Sequence, residues 1–135
     1  MTTLVYDASA LIAAERDDRR FWSMHQRALL RGYRPIIPAT VLAQVRRSEA
    51  DRGLAKVLSN CRLAVLDQRA AELVGDLLGA ARRDDIVDAH VVVTCMAAGA
   101  HCLTSDRDDI THLAEVARTD RRRRFGRRRV PIIPI

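Results

Sequence analysis

Aspartates recur in this 135-residue chain where one stretch of regular pattern hands over to the next. Asp7 follows the apolar run Leu4-Val5-Tyr6, and Asp106 follows Cys102-Leu103-Thr104-Ser105. Asp85 and Asp88 stand three residues apart at the head of an apolar stretch. That spacing puts two side chains on one face of a helix. If carboxylates from such separate segments meet, each pair repels. At about 5 Å and an effective dielectric near 20, the repulsion is roughly 3 kcal/mol. A cluster of them needs a cation, and carboxylate oxygens with water suit magnesium or manganese. A cation held in this way activates water and offsets the charge that develops on a phosphodiester.

Each aspartate also has a plainer reading. Asp7 fits an N-cap for a helix starting at Ala8, and Asp85 fits a cap for the helix that contains Asp88. Asp106, Asp108 and Asp109 fit a turn and a cap. Asp88 is the hardest to place structurally, because it sits between Val87 and Ala89 in an otherwise apolar helix.

The elements that must position these residues alternate. Leu4–Tyr6 reads as a buried strand and Ala8–Glu15 as a helix. A second helix is expected over 19–30, stopped by Gly32. Ile36-Ile37, bracketed by Pro35 and Pro38, reads as a second strand. Thr40 is placed to cap the helix that follows. A short helix over 54–58, a strand over 63–66 and an amphipathic helix over 68–81 come next. Asp84 or Asp85 caps a helix running to Ala98 and closed by Gly99. A strand over 102–104 follows, then a helix capped by Asp108 or Asp109 and running through Ala117. Val130 to Ile133 reads as a last strand. Pro131 and Pro134 lack donors, which places it at an edge. Strands alternating with helices predict an α/β domain whose central parallel sheet of four to five short strands is flanked by helices. In such sheets, sites form beyond the C-terminal ends of the strands.

With 48% apolar residues the chain has enough material for a core. The opening residues lack a basic segment followed by an apolar run, so no signal peptide is expected there. The stretch around 91–100 is about half a membrane span. A soluble, cytoplasmic protein is expected. Cys61, Cys95 and Cys102 show no CxxC spacing and read as small core residues. The formal charge is +6, but seven arginines in two runs, Arg121, Arg122, Arg123, Arg124 and Arg127, Arg128, Arg129, supply the excess. The remainder is near neutral. Arginine forks onto phosphate and stacks on bases, so this segment, read as a loop at 121–129, is the candidate RNA-binding element, expected close to the acidic cluster. Phe125 inside it suits either a stacking contact with single-stranded RNA or an anchor at the edge of the core.

Four segments, taken together, resemble the PIN-domain family, and within it the VapC-type toxins of toxin–antitoxin pairs. They are Val5-Tyr6-Asp7-Ala8-Ser9-Ala10-Leu11-Ile12, the segment from Ile37 to Val45, Asp85-Ile86-Val87-Asp88-Ala89-His90-Val91, and the segment from Leu103 to Ile110. Their order and spacing cover nearly the whole chain, as one PIN-like domain over 1–135. The resemblance implies a magnesium- or manganese-dependent endoribonuclease, a homodimer, and a cognate VapB-type antitoxin that blocks the site. By position Asp7, Asp88 and Asp106 match the family's acidic metal-site residues, and Ser9 and Thr104 match residues that support them.

One position departs. The family usually has an acid, mostly glutamate, on the helix after the second strand, where this chain has Gln44. A glutamine carbonyl still ligates or holds a metal-bound water, but one negative charge is lost and metal affinity should fall. Glu49 is a poor replacement, since five residues at ~100° each carry it off that face. Asp85 or Asp109 is placed to compensate.

Other residues carry weaker signals. His90 points away from Asp88 around the helix and reads as a core or solvent residue. His25, His101 and His112 show no ligand spacing. Phe21 and Trp22 read as packing or dimer contacts. A nucleotide-binding or receiver-like domain is disfavoured, as no glycine-rich phosphate loop is present and no lysine follows the fourth strand. The remaining rival is a catalytically weak or inactive RNA-binding module of the same fold.

Overall fold

The protein's structure is a computed structural model describing residues 3–47 and 51–135. Five short strands form one all-parallel sheet in the order β3-β2-β1-β4-β5. Along the chain these are β1 (Leu4–Tyr6), β2 (Ile36–Pro38), β3 (Arg62–Ala64), β4 (His101–Thr104) and β5 (Ile132–Pro134). Helices α1 (Ala8–Glu15) and α2 (Arg19–Leu30) connect β1 to β2, and α3 (Ala39–Val45) and α4 (Arg52–Asn60) connect β2 to β3. Helices α5 (Gln68–Ala81) and α6 (Ile86–Ala98) lead to β4, and α7 (Arg107–Arg118) follows it.

The chain builds outward from β1 to β2 and β3, then returns to the other side of β1 to place β4 and β5. Right-handed crossovers put the connections of the two halves on opposite faces. The packing agrees in most respects: α1 contacts α2, α3 and α4, while α5, α6 and α7 contact one another; α3 also meets α6. The strand order reverses between β1 and β4, the position where open parallel sheets leave a crevice at their C-terminal ends. Register aligns the two strands there, with Val5 opposite Cys102 and Tyr6 opposite Leu103. One step further brings Asp7 level with Thr104.

Helix starts follow one local rule. Asp7, Asp18, Asp51, Asp67 and Asp85 each accept a hydrogen bond from the backbone N–H three residues on, at 2.9 to 3.0 Å. Each thereby satisfies a donor that the helix cannot. Two starts differ from expectation. Thr40 does not cap α3, whose cap position is Pro38; its hydroxyl instead lies 2.8 Å from His90 Nδ1. Neither Asp108 nor Asp109 caps α7. Asp106 holds that position, and its side chain makes no capping hydrogen bond.

The core is continuous over both faces of the sheet and includes all three cysteines, which are free. His90 belongs to it: it is buried, and burial lowers its pKa, so it is a neutral core residue. Tyr6 and Phe21 lie in this core with their rings tilted against each other, and Phe21 stacks on buried His25, whose Nδ1 lies 2.7 Å from the Tyr6 hydroxyl. Trp22 packs at its margin and donates to the Ala14 carbonyl. Both aromatics of α2 are thus packing residues. As the prolines require, β5 lies at a sheet edge. Among the described residues, no helix is long and apolar enough to cross a membrane.

Candidate metal centre

Helix α6 is buried all round from Ala89 to Met96, as a helix central to a domain must be. Its first turn emerges at the C-terminal edge of the sheet and carries Asp88, which is half-buried there. Asp106 and Asp109 come from the opening turn of α7, directly beyond β4. One carboxylate oxygen from each of Asp88, Asp106 and Asp109 lies within 4.8 Å of the other two. None of the three is in an ion pair among the described residues.

Without a cation this arrangement opposes ionisation. Burial, then the charges of Asp85, Asp106, Asp7 and Asp109, push the Asp88 carboxyl up to about 7. Partial burial, then the charge of Asp109, raises Asp106. Three oxygens of hard character, converging without a counter-charge, form a donor set that fits a divalent cation and could hold one.

Asp7 stands beneath this trio rather than in it. It is buried, and both its oxygens are engaged. Oδ1 accepts from Ser9 Oγ at 2.6 Å and from the Ala10 amide at 3.0 Å, and Oδ2 accepts from Thr104 Oγ1. The Thr104 hydroxyl accepts in turn from the Asp106 amide at 2.8 Å, and Ser9 Oγ accepts from the Ser105 amide at 2.8 Å. Ser9 and Thr104 therefore tie the end of β1 to the end of β4. The charge of Asp7 still reaches Asp88 and Asp106. Asp85 caps α6 and holds the Asp88 amide at 3.0 Å, placing a second negative charge beside it. Asp109, expected only as support, is a member of the closest trio. The sequence signal that could have found it is its i, i+3 spacing from Asp106.

No model of a known protein family matches the chain, and no curated protein matches it either.

Gln44 is exposed on the last turn of α3, in a groove it shares with Ala8, Ile12, Glu15 and Arg16 of the α1 segment. It makes no hydrogen bond to the acidic trio among the described residues. Glu49 lies outside the described residues. A second groove, of about 370 Å³, is lined by Ser9 and by Ser105, the residue before Asp106; its remaining lining includes Ile12, Ile135, Arg16 and Asp18, whose carboxylate caps α2. Arg16 is the cation of this groove, and nothing in its sequence context marked it.

The expectation that the arginine runs flank the acidic cluster does not hold. Their loop leaves the C-terminal end of α7, whose other end carries Asp106 and Asp109. Twelve helical residues separate the two ends by about 18 Å. The loop then reaches the N-terminal end of the sheet, where the Cys102 amide donates to Pro131 O at 2.9 Å. Arg128 lies against Gly99, just before β4, so closely that a Cβ on Gly99 would stand 2.0 Å from its Nη1. Phe125 is buried and serves as a core anchor, which leaves no ring for base stacking. Arg124 is held by Asp120 at 2.9 Å and by Asp76 of α5 at 3.1 Å. Arg121, Arg122, Arg123, Arg127, Arg128 and Arg129 remain exposed.

Proposed function

We propose that this chain is a metal-dependent endoribonuclease of the PIN-domain kind, acting as the toxin of a toxin–antitoxin pair. The observation that carries the reading is the meeting of Asp88, Asp106 and Asp109 within 4.8 Å, with no ion-pairing cation among the described residues, at the reversal point of a parallel sheet. The four sequence segments that resemble the VapC-type toxins contribute all three aspartates and the Ser9–Asp7–Thr104 tie beneath them. The all-oxygen donor set favours magnesium or manganese. Such an ion, when bound, would polarise water and offset the charge that develops on a phosphodiester.

The protein's own side chains have separable tasks in this reading. Asp88, Asp106 and Asp109 hold the ion, and Asp88 gives up a proton when it does so. Asp7 supplies a fixed negative charge below them, immobilised by three hydrogen bonds. Ser9 and Thr104 set the spacing between strand ends. The groove beside Ser9 and Ser105 receives the RNA, with Arg16 placed for a phosphate and Ile12 for an apolar base face. An acidic cleft of this kind also accepts an arginine fork from another chain. That is the contact expected of a VapB-type antitoxin that silences the site on a toxin homodimer.

The test is RNA hydrolysis by the purified protein in magnesium and in manganese. Asp88→Asn, Asp106→Asn and Asp109→Asn should each slow it by roughly a hundredfold or more, as removing an electrostatic stabiliser does. A folded wild-type protein that leaves RNA intact in both metals sinks the catalytic reading. Gln44, neutral and outside the trio, favours one rival, an RNA-binding module without cleavage. Its signature is RNA that stays intact in manganese while being bound as tightly there as in EDTA.

A further inference from the structure

The loop between α7 and β5 is built to present guanidinium groups. Two successive turns shape it, closed by Arg123 N to Asp120 O at 3.0 Å and by Gly126 N to Arg123 O at 3.3 Å. Arg123 adopts a left-handed conformation at φ 55, and Gly126 has φ 85. Arg124 and Phe125 are drawn inward, one onto Asp120 and Asp76, the other into the core. Pinning these two turns their neighbours outward. Arg121, Arg123 and Arg127 line one open cleft of about 470 Å³ together with Arg118 and Thr119. Among the described residues the one acid on its wall is Asp120, which is committed to Arg124, and Arg118 is committed to Glu115 at 2.6 Å. Arg121, Arg123 and Arg127 form no ion pair among the described residues. Folding therefore neutralises Arg124 and leaves the other three aimed at a shared space.

We infer that this cleft is a second, metal-independent site for the phosphodiester backbone of single-stranded RNA, at the opposite end of the sheet from the acidic cluster. Guanidinium forks match phosphate oxygens, and three of them along a backbone hold successive phosphates without reading bases. With Phe125 buried, the site offers charge without stacking, and its affinity should be dominated by counterion release. The roughly 18 Å length of α7 separates it from Asp106, so a strand held here is gripped several nucleotides from the acidic cluster.

The experiment is fluorescence anisotropy of a short labelled single-stranded RNA with the full chain in EDTA, over a range of salt. The triple variant Arg121→Ala, Arg123→Ala, Arg127→Ala should bind at least about tenfold more weakly, and its log–log salt slope should be shallower by roughly 2. Lysine at the same three positions should restore the slope. Unchanged melting of the variants would establish that the fold survives, as expected for exposed loop side chains. An alanine variant with wild-type slope and affinity would overturn the inference. So would a lysine variant that fails to restore the slope, or displacement of the RNA by polyglutamate at equal charge concentration, which would assign the cleft to acidic protein segments. The measurement needs no metal and no cleavage, so it stands or falls separately from the nuclease reading.

Discussion

The Thr104 hydroxyl donates to Asp7 Oδ2 and accepts from the amide of Asp106, so one side chain joins the buried aspartate that ends β1 to the exposed aspartate that opens α7. The two aspartates lie far apart in sequence, and this hydroxyl fixes the edge of the crevice between them. Thr104→Val keeps the shape and removes both bonds. It should destabilise the protein by about 1–3 kcal/mol, the cost of leaving a buried acceptor short of a partner. Thr104→Ser should recover most of the loss. Urea unfolding decides the matter, and a valine variant as stable as wild type would contradict it.

Stability without metal should fall as pH rises. Burial and the neighbouring carboxylates push the Asp88 carboxyl up to about 7 from its ordinary 3.8, so between these values the folded state binds more protons than the unfolded one. The contribution is therefore fully present below about pH 4 and is lost as pH rises through about 7. In the same window metal binding must displace that proton, so divalent affinity should rise with pH. Thermal melts at several pH values, with EDTA and with manganese, test both statements. Asp88→Asn should flatten the metal-free profile across this window.

Adjacent aspartates at the start of α7 should behave differently. Asp109 belongs to the close trio and Asp108 does not. Saturating manganese at about a hundredfold over Kd stabilises a folded protein by about 2.7 kcal/mol. Asp109→Asn should abolish the manganese-induced rise in melting temperature, whereas Asp108→Asn should keep it. Equal behaviour of the two variants would remove Asp109 from the ligand set.

Arg124 staples the arginine loop. It bonds Asp120 through its backbone amide, Nε and Nη2, and reaches Asp76 through Nη1. These contacts hold the Asp120 carboxyl down at about 2. Arg124→Ala should free the loop without unfolding the domain, since the pairs are partly exposed and worth little in global stability. Limited trypsin digestion should then cut at the remaining loop arginines faster than in wild type, because local opening governs cleavage there. Unaltered digestion would show that Phe125 alone holds the loop.

Much of the fold was legible because its determinants are local. Aspartate caps act on an amide three residues away, and amphipathic spacing repeats within a turn. The bounds of α1, α2 and α5 follow from the sequence, as does the closure of α6 by Gly99, which adopts φ 62. Pro131 and Pro134 placed the last strand at an edge, since neither can donate to a ladder.

The site was legible only in part. Asp88 was conspicuous as an acid in an apolar helix, and the sheet carries it to the crevice. Composition and spacing alone determined the order of elements and a stock of aspartates at strand ends. Only the tertiary structure decided that Thr40 serves His90, 50 residues on, instead of capping α3. It alone decided that Asp109 joins the trio while Asp7 is spent on Ser9, Ala10 and Thr104, and that the arginine loop sits at the far end of the molecule. The reason is distance. Capping and periodicity act over a few residues, whereas the sheet order, the β1–β4 register and the length of α7 set which remote charges meet.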